Sequence, residues 1–386
     1  MQARSSRSSE ICQGIDGRPF RVMVVDDSAV VRGLISRWIE ADPEIAVVGS
    51  ASNGVMALNS IRRNRAEIVL LDVEMPEMDG LTALPKLLKI DPTIKVIMAS
   101  TLTRRGAEIS IRAMAAGAAD YVPKPESTRD ANDASTFRRT LIQKIKALGA
   151  ARRRGLSGES VASGQPRISH TLRKGGPEIG GQIKLTLRKP SGCQPAVLGI
   201  GSSTGGPQAL LKVVRGLSPG FQLPILITQH MPATFTAILA EHLGRISNRP
   251  CAEAEDGEPI EPGRIYVASG GLHLTMVEKG GRPVVELNED SPENYCRPSV
   301  DQLFGGIARV YGPEALCLVL TGMGHDGLAG SKKIVEAGGT VIAQDEPTSV
   351  VWGMPGAVTK AGICSSVLPL DEISDTISRF AAGGAL

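Results

Sequence analysis

Phe20-Arg21-Val22-Met23-Val24-Val25-Asp26-Asp27-Ser28 is the stretch that decides the fold. A nearly unbroken apolar run stops at two carboxylates and a serine. Directly after it, Val30, Val31, Leu34, Ile35, Trp38 and Ile39 recur with helical spacing over residues 28–41. A short Val-rich run suits a strand buried on both faces, and the amphipathic helix behind it suits a crossover. The alternation continues, with strands predicted at 20–25, 45–51, 68–71, 95–99 and 120–122 and a last helix over 135–148. Five β-α units of this length predict an open, doubly wound parallel sheet with helices on both faces.

The rest of the chain is too long for that one core. Its 386 residues fit two domains plus connecting sequence. Aromatic residues are only 3% of the chain, so both cores must be built from Val, Ile, Leu, Met and Ala, which again favours α/β layering. We divide it into a disordered tail (1–19), a first domain (20–148), a flexible linker rich in Gly, Ser, Arg and Lys (149–195) and a second α/β domain (196–386). In the second domain strands are predicted at 196–200, 224–228, 264–268, 272–278, 284–287, 315–320 and 340–343. Helices are predicted at 207–215, 233–243, 299–310 and 328–337. The stretch 251–287 reads as hairpin-like strands, which makes a mostly parallel, mixed sheet the expectation.

Composition also excludes some functions. A net charge of +3, with its excess in patches such as Arg152-Arg153-Arg154, gives no reason to expect nucleic acid. No apolar run approaches the ~20 residues of a membrane helix. The cysteines Cys12, Cys193, Cys251, Cys296, Cys317 and Cys364 are scattered without a C-x-x-C pair, so neither a zinc site nor a disulfide framework is expected. A reducing cytoplasm is the natural setting, and a monomer the expected assembly.

In the first domain Asp26, Asp27, Asp72, Ser100 and Lys124 each follow or end a predicted strand. In an open parallel sheet the carboxyl ends of the strands share one edge, so these side chains should converge. Clustered carboxylates repel one another unless a cation joins them, and hard oxygen donors select Mg²⁺. Asp72 could then take a phosphoryl group as an acyl phosphate, with Lys124 neutralising its oxygens and Ser100 bonding to one of them. Thr101 is a weaker candidate for that hydroxyl. The Lys124-Pro125 step also invites a cis peptide.

In the second domain Gly199-Ile200-Gly201-Ser202-Ser203-Thr204-Gly205-Gly206-Pro207 is a strand end, a glycine-rich turn and a helix start. It fits a phosphate cradle or a nucleophile with an oxyanion hole, and no lysine of Walker type follows the glycines. The next strand delivers His230 and a third delivers Asp326. A serine needs a base, and the base needs an acid to fix its tautomer; Ser203, His230 and Asp326 can supply those roles. The order Ser, His, Asp is not that of the α/β-hydrolases. His325 is a rival base, pointed away by its neighbouring position. His242 falls on a helix face, His170 in the linker and His273 in a Gly-rich turn.

Two resemblances follow from these strings. Residues 24–28, 72–80 and Lys124-Pro125 resemble response-regulator receivers of flavodoxin-like fold. That implies phosphorylation at Asp72 by a histidine kinase, Mg²⁺ held among Asp26, Asp27, Asp72 and the Glu74 carbonyl, and Ser100 and Lys124 as switch residues. Residues 200–207, 227–232, 253–257, 296–301, 320–324 and Gly353-Met354-Pro355 resemble the bacterial chemotaxis protein-glutamate methylesterases of CheB type. That family hydrolyses glutamyl methyl esters on chemoreceptors, often deamidates receptor glutamines, and needs no cofactor for the ester chemistry. The resemblance implies Ser203 as nucleophile, His230 as general base and acid, Asp326 as orienting acid, and an oxyanion hole from the N–H groups near Thr204 and Met323. Two departures are Ser202, where alanine is usual, and His325, where asparagine is common. Other outputs fit less well: a receptor-binding relic would be free to lose the triad, and a DNA-binding regulator would need a helix-turn-helix patch.

Overall fold

The structure, a computed structural model, describes residues 18–124, 131–156 and 186–386. Residues 1–17 of the expected tail, most of the linker, His170 and Pro125 lie outside the described residues.

Strand β1 (Phe20–Val25) is followed by α1 (Ala29–Glu40), β2 (Ile45–Ala51), α2 (Gly54–Asn64), β3 (Ile68–Asp72) and α3 (Gly80–Ile90). Then come β4 (Lys95–Ser100), α4 (Arg104–Ala115), β5 (Asp120–Pro123) and α5 (Ala131–Leu156). The five strands are parallel in the order β2-β1-β3-β4-β5. Local chemistry sets the helix starts: Ser28, Asn53, Asp79 and Thr103 each accept a backbone N–H of the first turn, a cap worth about 1 kcal/mol. Because the winding reverses between β1 and β3, their carboxyl ends lie side by side, and so do the acids that follow them.

Helix α5 runs past 148, where sequence periodicity ends it. Its last turns are held electrostatically rather than by an apolar stripe. Arg152 pairs with Asp91 at 3.1 Å, and Arg153 pairs with Glu67 at 2.7 Å with its guanidinium over the Phe20 ring. The basic run read as linker is therefore anchored to acids at the amino edge of the sheet.

The second domain comprises β6 (Val197–Ser202), α6 (Gly206–Gly216), β7 (Ile225–Gln229), α7 (Ala233–Ser247), β8 (Cys251–Glu253) and β9 (Ile265–Val267). These are followed by β10 (His273–Lys279), β11 (Arg282–Asn288), α8 (Val300–Tyr311), β12 (Ala315–Val319) and α9 (Leu328–Glu336). The chain closes with β13 (Thr340–Gln344), α10 (Met354–Lys360), β14 (Ser366–Leu368) and α11 (Leu370–Ala381). Seven strands form a sheet in the order β14-β13-β12-β6-β7-β9-β8, every pairing parallel. The expectation of a mixed sheet is corrected here. The antiparallel pair β10-β11 stands apart, turned by Gly280 and Gly281 at φ of 60° and 75°, and its Leu274, Met276 and Val285 pack in one core with Phe304 and Ile307 of α8. Strand β14 and helices α10 and α11 were not anticipated from periodicity. Strands β12, β6 and β7 are neighbours, which sets three strand ends around one crevice.

The two domains touch. The Tyr121 ring stacks on Phe235 of α7 with centroids 4.3 Å apart, and the Gln208 side chain of α6 donates to the Met114 and Ala118 carbonyls at 2.5 and 2.7 Å. After the linker the chain is tied to the second domain, Arg188 N–H donating to the Cys364 carbonyl and Ser191 N–H to Thr340 Oγ1. Among the described residues no helix is long and apolar enough to cross a membrane.

Candidate active site

At the carboxyl edge of the first sheet, Asp26 and Asp72 are buried and Asp27 is exposed. Lys124 Nζ bridges Asp26 Oδ2 at 2.7 Å and Asp72 Oδ1 at 2.8 Å. Burial raises the Asp72 carboxyl above its ordinary range; the Lys124 ammonium opposes this and the neighbouring Asp26 reinforces it. Burial alone would lower the Lys124 pKa, but the two carboxylates more than offset it and the ammonium is held charged. Oxygen atoms of Asp26, Asp27 and Asp72 lie within 4.8 Å of one another. Three carboxylates against one ammonium, with only oxygen donors, fit a hard divalent cation. Glu74 sits beyond β3, its side chain paired with Arg105 at 3.3 Å. Ser100 is buried and its hydroxyl accepts a 2.9 Å hydrogen bond from Ser110 of α4, whereas Thr101 is exposed. The cis peptide found is Arg297-Pro298.

In the second domain β6 ends in Ser202 and the chain turns sharply into α6. Gly205 takes φ of 76°, which permits the turn, and Pro207 occupies the first turn of the helix. Ser202 is fully buried and its hydroxyl donates to Gln229 Oε1 at 2.7 Å, while Gln229 Nε2 donates to the Ser203 carbonyl at 2.9 Å. Ser203 is half-buried. Its hydroxyl makes no hydrogen bond among the described residues. A Cβ at Gly322 would lie 3.0 Å from Ser203 Cβ and 2.2 Å from Met354 Sδ, so the strand end after β12 can approach the elbow only as glycine. The N–H groups of Thr204 and Met323 donate to no acceptor among the described residues. Ordinary loop backbone is paired, and an unpaired N–H beside a serine is suited to a developing oxyanion.

His230 follows β7, and its backbone N–H donates to the Ser202 carbonyl at 3.2 Å, fixing it one strand over from the elbow. Its Nε2 is 2.7 Å from Asp326 Oδ2. Asp326 is 2% exposed and sits at the start of α8, accepting from the Val300 N–H at 2.7 Å, the Ser299 hydroxyl at 2.8 Å and the Asp301 N–H at 3.2 Å. Burial would raise the Asp326 pKa; His230, the Val300 amide and the Ser299 hydroxyl overcome that and hold the carboxyl well below its usual range. The partial positive charge of a helix N-terminus acts in the same direction. For His230, burial opposes the cation, but the bonds to Asp326 and Cys296 raise its pKa to about 10.

The remaining histidines are placed plainly. His325 is exposed next to the buried Asp326. His242 is half-buried on α7. His273 is buried, its Nδ1 accepting from the Ser299 N–H at 3.2 Å, so it supports the loop that carries Ser299. Sequence reasoning assigned no role to four residues around the acid and base: Gln229, Asn294, Cys296 and Ser299. Asn294 Nδ2 donates to both Asp301 and Asp326, at 3.0 and 3.2 Å, and Cys296 Sγ lies 3.5 Å from His230 Nδ1. The strings 227–232 and 296–301 carried part of the family likeness, which is the signal that could have found Gln229, Cys296 and Ser299, while Asn294 lies outside both.

Comparison with known proteins identifies the family. The CheB methylesterase family profile matches residues 198–377 and the response regulator receiver domain profile matches residues 22–134. A protein-glutamate methylesterase/protein-glutamine glutaminase of a group 2 operon in Rhodospirillum centenum is 55% identical over 376 residues, 94% of each chain. The protein-glutamate methylesterase/protein-glutamine glutaminase of Azospirillum brasilense is 53% identical over 373 residues, 96% of this chain and 94% of its own. The crystal structure of the Thermotoga maritima CheB methylesterase catalytic domain shares 39% identity, covering 48% of this chain and 98% of that one, with a TM-score of 0.47. More than half identical to such relatives along nearly its whole length, and matching both profiles in order, the chain belongs to the CheB methylesterase family, a response-regulator receiver joined to a methylesterase domain.

Proposed function

We propose that the protein hydrolyses glutamyl methyl esters on the cytoplasmic helices of chemoreceptors, releasing methanol, with Ser203 as nucleophile, His230 as general base and then acid, and Asp326 as the orienting acid. The observation that carries this reading is the 2.7 Å His230–Asp326 contact one strand from the elbow serine. Donation from Nε2–H to Asp326 leaves the lone pair on Nδ1. That nitrogen takes the Ser203 proton as the hydroxyl oxygen attacks the ester carbonyl. The N–H groups of Thr204 and Met323 receive the oxyanion, each contributing about 2.7–4 kcal/mol by analogy with other hydrolases. His230 returns the proton to the departing methoxide, and water repeats the sequence to free Ser203. In the resting geometry Nδ1 faces Cys296, so proton transfer requires it to exchange that partner for Ser203; such contacts tighten only when substrate binds. A glutamine side chain presents the same carbonyl with ammonia as the leaving group, and the same residues serve it.

The receiver takes its phosphoryl group from a histidine kinase onto Asp72. Asp26, Asp27, Asp72 and the Glu74 carbonyl would hold Mg²⁺, whose chemistry is to neutralise the phosphoryl oxygens. Lys124 adds a fixed positive charge there. A phosphoryl group of about −1.5 to −2 charge accepts the Ser100 O–H, which the bond received from Ser110 leaves free. Turning Ser100 toward that group moves the Ser110 hydroxyl bonded to it, and with it α4, which packs against α6 and α7 beside the esterase crevice. The unphosphorylated receiver covers the hydrolase, and phosphorylation loosens that cover.

The test is methanol release from methylated receptor membranes by wild type, Ser203→Ala and Asp72→Ala, with and without a small phosphodonor. We expect Ser203→Ala to lose release by about 10⁴-fold or more. Asp72→Ala should keep basal release and lose only the phosphodonor response. Release that survives Ser203→Ala but not Ser202→Ala would move the nucleophile. No release from any receptor tested, with Asp72 still phosphorylated, would leave a receptor-binding module.

A further inference from the structure

Cys296 meets the base on the side that Asp326 leaves open. Its Sγ lies 3.5 Å from His230 Nδ1, opposite the 2.7 Å contact of Nε2 with Asp326. The thiol is presented by a constrained loop. Cys296 and Glu293 exchange both backbone hydrogen bonds, at 2.8 and 3.1 Å, and the Arg297 guanidinium holds the Glu289 and Asp290 carbonyls at 2.8 and 3.2 Å. Asn294 and Tyr295 take φ of 53° and 64°, a region that non-glycine residues seldom occupy. Cys296 is half-buried and the His230 side chain is 13% exposed, so a small ion can reach both.

A thiol and an imidazole nitrogen, with a carboxylate bonded to the other ring nitrogen, make the donor set of a borderline-soft dication. The carboxylate behind the histidine is the usual outer partner of a metal-bound imidazole, fixing its tautomer and ring orientation. The spacing also fits. With Zn–S near 2.3 Å and Zn–N near 2.0 Å at a tetrahedral angle, the two donor atoms stand about 3.5 Å apart.

We propose that Cys296 Sγ and His230 Nδ1 form a binding site for a zinc-class divalent cation, oriented by Asp326, and that an ion bound there silences the esterase. The silencing rests on the reading of His230 as the base, because the metal–nitrogen bond occupies the lone pair that removes the Ser203 proton. Ligation releases the thiol proton and, where His230 is charged, the proton on its Nδ1 to solvent, and changes no oxidation state. With two protein donors the ion keeps positions open to water, so binding is reversible and a chelator removes it. The carboxylate cluster of the receiver offers only oxygen and selects harder ions, which separates the two sites chemically.

The experiment uses the full chain saturated with Mg²⁺ and titrated with Co²⁺ as a spectroscopic substitute for Zn²⁺. Ligation by Cys296 gives a thiolate-to-cobalt charge-transfer band that Cys296→Ser lacks and that Cys193→Ser, altered at an exposed cysteine, keeps. In parallel, Zn²⁺ should inhibit methanol release reversibly, and Cys296→Ser should need at least about tenfold more for half-inhibition. Cys296→His restores a donor and should regain Zn²⁺ sensitivity without the thiolate band, which separates a lost ligand from a disturbed fold. A wild-type protein without the band, or equal Zn²⁺ sensitivity in wild type and Cys296→Ser, overturns the proposal. A Cys296-dependent band in a protein that releases no methanol would keep the metal site and remove the esterase reading instead.

Discussion

Asp72 and Asp326 both lie at or beyond the carboxyl end of a buried parallel strand, yet their surroundings push the two carboxyls in opposite directions. Asp72 has a second buried carboxylate beside it and one ammonium shared between them, and its pKa is raised. Asp326 has backbone amides of a helix start, a hydroxyl and an imidazole around it, and its pKa is lowered. One site is short of positive charge and is suited to gaining a cation and a phosphoryl group. The other has its charge fully satisfied and passes it on only through His230. Residue type and strand-end position are shared; the partners decide the chemistry.

The largest test of that contrast is Asp326→Asn. It keeps the shape and removes the charge, and methanol release should fall by about 10⁴-fold, as when other triads lose their acid. The pH profile adds a readout of cause. A base acts when neutral, and His230, with its pKa raised to about 10, becomes neutral only as pH climbs. Without the anion its pKa falls, so the acidic limb of kcat/KM in Asp326→Asn should move to lower pH. An unmoved limb would mean that another group sets it.

Chelation separates the sites further. Treatment with EDTA should abolish phosphoryl incorporation at Asp72 and leave basal methanol release of the unphosphorylated protein in place. If basal release vanished as well, the esterase site would need a cation of its own, and the contrast would fail.

The smallest effect belongs to the seam between the domains. Gln208→Ala removes two hydrogen bonds to receiver carbonyls, each worth about 1 kcal/mol, so basal release should rise by up to roughly thirtyfold while the phosphodonor response shrinks. A fall in basal release would sink inhibition by cover and favour activation by assembly.

The receiver was readable because each strand is a short apolar run and each helix begins at a side chain that caps it, as Ser28 and Asp79 do. Strand order then follows from connection rules, and the acids after β1 and β3 are brought together by it. Legibility failed where structure depends on partners remote in the chain. The end of α5 is set by Glu67 and Asp91, the hairpin β10-β11 leaves the main sheet to pack on α8, and three-residue β14 is too short for a period to show. Cys296 was passed over because spacing between cysteines says nothing about a histidine 66 residues away.

By itself the sequence determined two α/β domains, the strand ends at which chemistry could occur and the residue types waiting there, since apolar period and turn chemistry are local properties. Only the tertiary structure decided which nitrogen of His230 faces Asp326, that the start of α8 steadies that carboxylate, that the Ser202 rather than the Ser203 hydroxyl is tied to Gln229, and that Ser100 is held by Ser110. Those are facts of distance and direction between segments far apart in the chain, and electrostatic and hydrogen-bonding energies depend on both.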